Sequence, residues 1–232
     1  MTFDFARHRV ILLDILKEIY TDTSIGPFLG FKGGTAAMLF YGLPRASVDL
    51  DFDLLDETKK EEVAEKIEII ITKYGEIKEK SMGKRGMRFI ISNLAGKRGV
   101  KVDVNILSYG SKYEIKKYLG IDMKVMVQED MFAHKLVAMI ERIERQINRD
   151  IYDVWYFAKQ RWEINRGIVE SRSKISFKET LQKATSLLEA YDNKNILKEI
   201  GELLSESEKD YCRKKLKSDV IFSLRVMLDS EK

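Results

Sequence analysis

Residues 31–53 read FKGGTAAMLFYGLPRASVDLDFD, and this stretch holds most of the side chains from which chemistry can be expected. The apolar run 28–31 precedes Gly33-Gly34-Thr35, a turn that can open a helix through Ala36–Tyr41. Val48–Leu55 then alternates apolar residues with carboxylates, which is typical of a strand. The stretch therefore predicts a strand, a glycine turn, a helix and a second strand.

The second strand carries a row of carboxylates. Because side chains alternate along a strand, Asp49, Asp51 and Asp53 share one face. Three like charges side by side repel, and a divalent cation between the first two would turn that repulsion into attraction. A site built from oxygen ligands alone suits Mg²⁺ or Mn²⁺. The pattern predicts a metal site at Asp49 and Asp51.

The glycine turn adds a second element. Gly33 and Gly34 permit close approach to the backbone, and the free N–H groups at the start of the next helix can bind phosphate. A metal site beside a phosphate cradle indicates a nucleotide ligand.

These motifs resemble a known family. Gly33-Gly34, fourteen residues and Asp49-Leu-Asp51 resemble the G-[GS]-x(n)-D-x-[DE] signature of the polymerase-β-like nucleotidyltransferase superfamily. The fuller pattern KGGTA…YGLPR-x-S-x-DLDFD is similar to the AbiEii/AbiGii family, the toxin halves of type IV toxin–antitoxin pairs. The similarity recurs at Lys135 and at Arg149–Asp153.

The resemblance implies a Mg²⁺- or Mn²⁺-dependent transfer of a nucleoside monophosphate from a nucleoside triphosphate to a hydroxyl group. It suggests RNA as the acceptor, at the 3′ end of tRNA, and a separately encoded antitoxin as partner. Asp49 and Asp51 would hold the metal, Lys135 would neutralise the triphosphate and Asp150 would be a further active-site acid. The residues expected to cradle the phosphates are Gly33, Gly34, Thr35, Arg45 and Ser47.

Asp103 lies on another predicted strand, Val100–Leu107, which we expect beside Val48–Leu55. It is either a third carboxylate at the metal site or a solvent-facing acid. Two turns, Met82–Gly86 and Gly96–Gly99, join strands in this region. Their basic cluster either tracks a polynucleotide backbone or is a solvated hairpin. Its members are Lys78, Lys80, Lys84, Arg85, Arg88, Lys97 and Arg98.

The fold class expected is α/β (α+β), with two domains. Residues 1–122 would form a nucleotidyltransferase domain with a mixed sheet flanked by helices, and 123–232 a mainly helical domain that completes the active-site cleft. Apolar spacing predicts an N-terminal helix over residues 3–20 and a second helix from Asp56. The C-terminal half predicts a polar linker and three helices, namely Asn165–Ser176 followed by Phe177–Tyr191, Asn195–Leu204 and Glu208–Leu228.

The separation of Lys135 and Asp150 predicts a break in the helix that begins at Gln128-Glu129-Asp130. On one straight helix their backbones would lie about 22 Å apart, too far to serve one triphosphate. The break is expected at Gln146-Ile147-Asn148, because Asn favours both helix ends and N-caps. Asp153, by contrast, is interpreted as an acid favoured by the helix dipole.

Bulk properties exclude several classes. The chain has 232 residues, 44% of them hydrophobic and 34% charged, a net charge of +4 and one cysteine, Cys212. No apolar run could span a bilayer and no signal peptide is evident, so a cytoplasmic protein is expected. The motifs fit neither an EF-hand nor a P-loop. Three alternatives stay open: a D-x-D phosphatase, a nucleotidyltransferase that modifies a small molecule or antibiotic, and a non-catalytic binding module with a degenerate site. His8 and His134 are interpreted as ordinary residues.

Overall fold

The computed structural model describes residues 4–92 and 99–231. The chain divides into two compact units. The first comprises the residues up to 108 together with 112–126, and the second comprises 109–111 and the residues from 127 onward.

The first unit is built on a mixed β-sheet, as the sequence predicted. Within the described residues its strands are β1 Leu29–Lys32, β2 Asp49–Leu54, β3 Ile77–Gly83, β4 Gly86–Ile91, β5 Val100–Asn105, β6 Tyr113–Tyr118 and β7 Ile121–Met126. Their order in the sheet is β3-β4-β5-β2-β1-β7-β6. At the centre, β2 pairs antiparallel with β1 and parallel with β5. The helices of this unit are α1 Phe5–Thr21, α2 Gly33–Phe40 and α3 Lys60–Thr72.

The two faces of the central strands differ sharply in polarity. Leu50 and Phe52 of β2 are buried, and the Phe52 ring packs 6.3 Å from that of Tyr20 in α1. Phe89 of β4 is buried on the same side, because it lies opposite Val102 of β5, which lies opposite Leu50. The alternation of the sequence therefore translates into one core face and one face of charged side chains.

The second unit is helical. Its helices are α4 Gln128–Arg142, α5 Arg149–Lys159, α6 Arg166–Ser173, α7 Phe177–Ala190, α8 Glu206–Tyr211 and α9 Lys217–Asp229, and a π-helical turn over Cys212–Leu216 joins the last two. Capping boxes begin α7 and α8, through Ser176 with Glu179 and Ser205 with Glu208. Leu188 of α7 and Leu224 of α9 are fully buried. The apolar stripes of these amphipathic helices form the core of the unit.

The predicted helix break is confirmed. Helix α4 ends at Arg142, a 3₁₀ turn covers Ile143–Arg145, and α5 begins at Arg149. Gln146 is the left-handed residue, with φ 58°, whereas Asn148 has φ −86°. The Asn148 side chain does not cap α5 but donates to Tyr191 Oη and to the Asn195 carbonyl, at 2.8 and 2.6 Å.

Two predictions for the C-terminal half are wrong. The expected linker contains helix α6, which the Asn165 side chain caps by accepting from the Ile168 N–H. The expected helix Asn195–Leu204 is a series of short turns interrupted by Glu199 at φ 62°. The Asn195 carbonyl accepts from the Lys198 N–H at 2.9 Å, which closes a turn, and also from the Asn148 side chain.

Strand β6 was not predicted from the sequence. Residues 113–118 read YEIKKY, without apolar alternation, and form an edge strand that leaves Ile115 63% exposed. An edge strand buries too little surface to impose a hydrophobic pattern on its sequence. The predicted turn Gly96–Gly99, with Lys97 and Arg98, falls largely outside the described residues.

Candidate active site

The turn between β1 and α2 brings the second carboxylate of β2 against the backbone. Gly33 has φ +79°, a conformation that L side chains rarely adopt. A Cβ placed on Gly33 would lie 2.4 Å from Asp51 Oδ2. Glycine is therefore required at this position for two independent reasons, the backbone conformation and the approach of the Asp51 carboxylate.

Gly34 is covered by two further predicted residues. A Cβ at Gly34 would lie 2.7 Å from Arg45 Nη2 and 2.8 Å from Ser47 Oγ. The Arg45 side chain is almost fully buried, and its Nη1 donates to the Ala46 carbonyl at 2.9 Å. The start of α2 is thus flanked by a buried permanent positive charge and a hydroxyl group.

Thr35 has an internal role. Its hydroxyl donates to the Asp49 carbonyl at 2.5 Å and lies 2.9 Å from Ser47 Oγ, and the residue is buried. These contacts tie the first turn of α2 to the first residue of β2. Thr35 therefore positions β2 relative to the glycine turn.

The carboxylate row lies on the charged face of the sheet. In the parallel pairing of β2 with β5, Asp49 lies opposite Lys101 and Asp51 lies opposite Asp103. Lys101 Nζ is 3.1 Å from Asp49 Oδ2 and 3.5 Å from Asp103 Oδ2. The lysine offsets part of the repulsion that four nearby carboxylates would otherwise produce.

Asp53 differs from the other two acids of the row because three donors surround it. Lys32 Nζ and Asn105 Nδ2 lie 2.5 and 2.9 Å from its Oδ1, and Tyr113 Oη donates to its Oδ2 at 2.5 Å. The Tyr113 ring occupies the space over Gly30, where a Cβ would lie 2.3 Å from Cε1. These contacts bind Asp53 within the protein and hold Lys32 beside the row.

Asp103 is bound by an arginine. Arg88 Nε and Nη2 donate to its two carboxylate oxygens at 2.7 and 3.1 Å, a bidentate pair. The hydrogen bond to Asp103 is the largest influence raising the pKa of Arg88. The pair fixes the guanidinium on the charged face, two strands away from Asp51.

The residues of this face fit a magnesium ion held partly by a substrate. Within residues 4–92 and 99–231, no group of three acidic, His or Cys side chains is arranged to hold a metal. Mg²⁺ commonly takes one or two carboxylates and completes its shell with substrate phosphates and water. Asp49, which also pairs with Lys101, and Asp51 are the candidates for that pair. Asp53 and Asp103 are each held by donors of neighbouring strands.

The predicted residues of the second unit form a separate cluster. Lys135 Nζ lies 2.7 Å from Asp150 Oδ1 and 2.7 Å from Asp153 Oδ2, and Arg142 Nη1 lies 3.2 Å from Asp150 Oδ2. Both aspartates are fully buried. The break between α4 and α5 allows this contact across fifteen residues.

The electrostatics of this cluster explain its ionisation. Burial alone would raise the pKa of Asp150, but the charges of Lys135 and Arg142 outweigh it and lower the pKa to about 2. The helix-dipole interpretation of Asp153 is wrong, since this residue lies beyond the first turn of α5 and pairs directly with Lys135.

The two histidines and the cysteine fit structural roles. Arg172 Nη1 lies 3.3 Å from His134 Nδ1, so that nitrogen accepts and Nε2 is left to donate to Ser111 Oγ at 2.8 Å. In that tautomer His134 cannot take a proton from Ser111. His8 Nε2 donates to the Val48 carbonyl, and burial raises the pKa of Cys212 to about 12.

The family model for the nucleotidyl transferase AbiEii toxin of type IV toxin–antitoxin systems matches residues 14–215. The chain belongs to the AbiEii family. No curated protein matches it. Membership makes it a nucleotidyltransferase toxin by family and implies a nucleotide substrate and an antitoxin partner.

Two solved structures share the fold of this AbiEii-family chain. One is described as "putative nucleotidyltransferase from H. pylori", with 15% identity, a TM-score of 0.62 and coverage of 100% of this chain and 99% of that one. The other is JHP933 from Helicobacter pylori, with 17% identity, a TM-score of 0.56 and coverage of 98% and 96%. In the described part of the chain, no helix is both long and apolar enough to cross a membrane.

In this AbiEii-family chain, the structure brings several of the predicted site residues together and adds others that were not predicted. The structure brings Gly33, Gly34, Arg45 and Ser47 together with Asp51. Lys32, Asn105 and Tyr113, which surround Asp53, were not predicted. Lys32 directly precedes the glycine turn and could have been found from that position, but nothing in the sequence around Tyr113 indicates that it reaches across two strands.

Proposed function

We propose that this AbiEii-family chain transfers a nucleoside monophosphate from a nucleoside triphosphate to a hydroxyl group of RNA, at the 3′ end of tRNA. The observation that carries the proposal is the contact of the Asp51 carboxylate with Gly33 at the start of α2. It supports the proposal because it sets the candidate metal ligand Asp51 directly beside the turn that would bind phosphate.

The binding roles follow from the geometry of the first unit. Asp49 and Asp51 would hold Mg²⁺, or Mn²⁺, and a bound ion would offset negative charge on the triphosphate and on the departing pyrophosphate. The backbone at Gly33 and Gly34 and the Ser47 hydroxyl would bind phosphate oxygens. Arg45 would add a positive charge. Because its side chain is buried and held in one conformation, little conformational entropy is lost when a phosphate binds nearby.

In the reaction, the acceptor oxygen forms a bond to the α-phosphorus, and the bond from this phosphorus to the pyrophosphate oxygen breaks. The acceptor proton passes to solvent. The protein contributes by aligning the two substrates and by stabilising charge, which is how phosphoryl and nucleotidyl transfer are generally catalysed. Asp103 could act as a third metal ligand through the lone pairs that its pair with Arg88 leaves unused.

Lys135 and Asp150 enter the proposal through the family motif. Lys135 would neutralise triphosphate charge and Asp150 would be an additional acid of the site. Their contact shows that the lysine is held in one orientation by two buried carboxylates, Asp150 and Asp153. A preoriented ammonium loses less conformational entropy on binding an anion than a free surface lysine does.

The test is a transfer assay with Mg²⁺, each α-labelled nucleoside triphosphate and total RNA. Asp51→Asn and Asp49→Asn should each lower transfer by about a thousandfold, because a lost metal ligand removes several kcal/mol of charge stabilisation in the transition state. The fold should be retained, since like-charge repulsion is relieved.

The matched control is Asp122→Asn, which removes a carboxylate of the same unit that is 59% exposed and pairs with Lys117. It should transfer at the wild-type rate. Full activity of Asp51→Asn would remove the metal assignment. Label that appears in a small molecule instead of RNA would exclude the proposed acceptor.

A further inference from the structure

A pocket of about 270 Å³ adjoins the carboxylate row on the side of β4 and β5. Side chains and backbone of the charged face line it, among them Ser81, Arg85, Gly86, Arg88, Asp103 and Asn105. Two of these residues also belong to the carboxylate neighbourhood, since Asp103 lies opposite Asp51 and Asn105 donates to Asp53. The pocket therefore lies one strand away from the proposed metal ligands.

The strand register sets the distance between the pocket and the metal ligands. Arg88 lies opposite Asp103 on β4, and Asp103 lies opposite Asp51 on β5. Neighbouring strands are about 4.8 Å apart, so the Arg88 backbone is about 10 Å from that of Asp51. At this distance, the long Arg88 side chain can reach a phosphate that lies one nucleotide away from the metal along a bound polynucleotide.

The basic cluster of this hairpin divides between the two faces of the sheet. Lys80 Nζ pairs with Glu68 of α3 at 2.6 Å, on the helix side, and Lys78 pairs with Glu76 at 2.7 Å. Arg85 is exposed at the mouth of the pocket, and its side chain has no ion-pair partner among the residues that the structure describes. Within the described part of the cluster, Arg85 and Arg88 are the members that line the pocket.

Arg88 adds a second donor to the pocket. Its pair with Asp103 uses only Nε and Nη2, and a guanidinium has five N–H groups. The carboxylate holds the planar group in position without exhausting its donors. Arginine N–H groups commonly bind phosphate oxygens, and this pocket presents two guanidinium groups with N–H donors to spare.

The geometry of in-line transfer indicates which of the two substrates lies on the pocket side of the metal. The nucleophile and the leaving group lie on opposite sides of the phosphorus under attack. The glycine turn, which would bind the triphosphate, lies on the β1 side of the row, and the pocket lies on the β5 and β4 side. The acceptor should therefore approach from the pocket side.

We propose that the pocket at Arg85 and Arg88 binds a backbone phosphodiester of the RNA acceptor, next to the nucleotide that carries the reacting hydroxyl. This inference rests on the proposed function, since the direction of approach is derived from it. It assigns the acceptor a specific anchor on the first unit.

Direct binding tests the inference without any need for catalysis. The probe is a short fluorescein-labelled single-stranded RNA of mixed sequence, titrated with the full chain at several salt concentrations and followed by fluorescence anisotropy. Arg85→Ala should weaken binding about fivefold at about 0.1 M salt and reduce the slope of log affinity against log salt by about 0.7, the loss of one phosphate contact. Arg85→Glu should weaken it further, and Arg85→Lys should restore most of it.

Lys80→Ala is the matched control, since it removes one positive charge from the same hairpin on the opposite face. It should bind RNA like the wild type. Equal losses in Arg85→Ala and Lys80→Ala, or none in either, would overturn the inference. So would an Arg85→Ala protein whose KM rises for the nucleoside triphosphate and not for RNA.

The two proposals fail separately. If Asp51→Asn transfers normally but Arg85→Ala binds RNA weakly, the metal site is wrong and the RNA anchor stands. If Asp51→Asn is inactive and Arg85→Ala binds RNA normally, the transferase proposal stands and the anchor is wrong. Transfer to a small-molecule acceptor that Arg85→Ala leaves unchanged also overturns the anchor.

Discussion

At the scale of single residues, identical side chains in one strand have different roles. Asp49, Asp51 and Asp53 alternate regularly along β2. Asp53 is surrounded by an ammonium, an amide and a phenol, whereas Asp51 rests against Gly33. The groups that contact each carboxylate, and not its position in the alternation, therefore set its environment.

Asp150 leads to a prediction on pH. Its pKa falls from an ordinary value of 3.8 to about 2 in the folded chain, so the ionised form stabilises the fold. This contribution is complete above about pH 4 and is lost as the pH falls toward 2. Asp150→Asn should therefore lower the free energy of unfolding by on the order of 2 kcal/mol at neutral pH. The variant should also lose less stability than the wild type between pH 4 and pH 2.

Urea denaturation of wild type and variant across this pH range measures the effect. Asp210→Asn is the control, because that carboxylate is 61% exposed and pairs only with Arg213. It should change stability little at any pH. If the wild type and Asp150→Asn lost stability in parallel below pH 4, Asp150 would not be ionised in the fold through its lysine and arginine neighbours.

At the scale of the elements, the segment that separates α4 from α5 contains a left-handed residue, Gln146. Gln146 adopts a left-handed conformation, which costs an L residue about 1 kcal/mol, and its Oε1 accepts from Lys198 Nζ at 2.7 Å. The turn is nonetheless required for Lys135 and Asp150 to meet, because a continuous helix would keep them apart.

Gln146→Gly should raise the free energy of unfolding by up to about 0.5 kcal/mol, because relief of left-handed strain exceeds the loss of an exposed hydrogen bond. Gln182→Gly is the matched control, since Gln182 is exposed in the interior of α7. There the same substitution should cost about 1 kcal/mol. Urea denaturation of both variants decides the point, and equal losses would contradict a strained hinge at Gln146.

At the scale of the whole molecule, charge is distributed without a strongly basic region. The net charge is +4 over 232 residues. Long-range attraction of a polyanion by such a chain is weak, so RNA affinity must come from local contacts on particular faces. The division of the basic hairpin into a paired helix side and an open pocket side is one such arrangement.

This distribution predicts the salt dependence of transfer. If the acceptor is RNA held by about three or more phosphate contacts, log kcat/KM for RNA should fall with log salt with a slope of about −2 or steeper. The KM for the nucleoside triphosphate should change much less. Initial rates at increasing potassium chloride measure both quantities, and a flat profile for the acceptor would indicate a small molecule.

Sequence reasoning succeeded where the signal is local. The alternation in β2, the glycine turn, the N-terminal helix and the break near Gln146 all follow from a few adjacent residues. It failed at β6 and at Asn195–Leu204, where distant partners decide the conformation. Edge position in the sheet and the Asn148 side chain are not encoded in the local pattern.

The sequence by itself determined the succession of elements around residues 29–54, the shared face of three aspartates and the family to which the chain belongs. Only the tertiary structure decided that Tyr113 and Asn105 bind Asp53, that Arg88 binds Asp103, and that Asp153 joins Lys135. The physical reason is that spacing along the chain sets which side chains share a face. Strand order, register and helix packing set which faces meet, and these depend on burial summed over the whole unit.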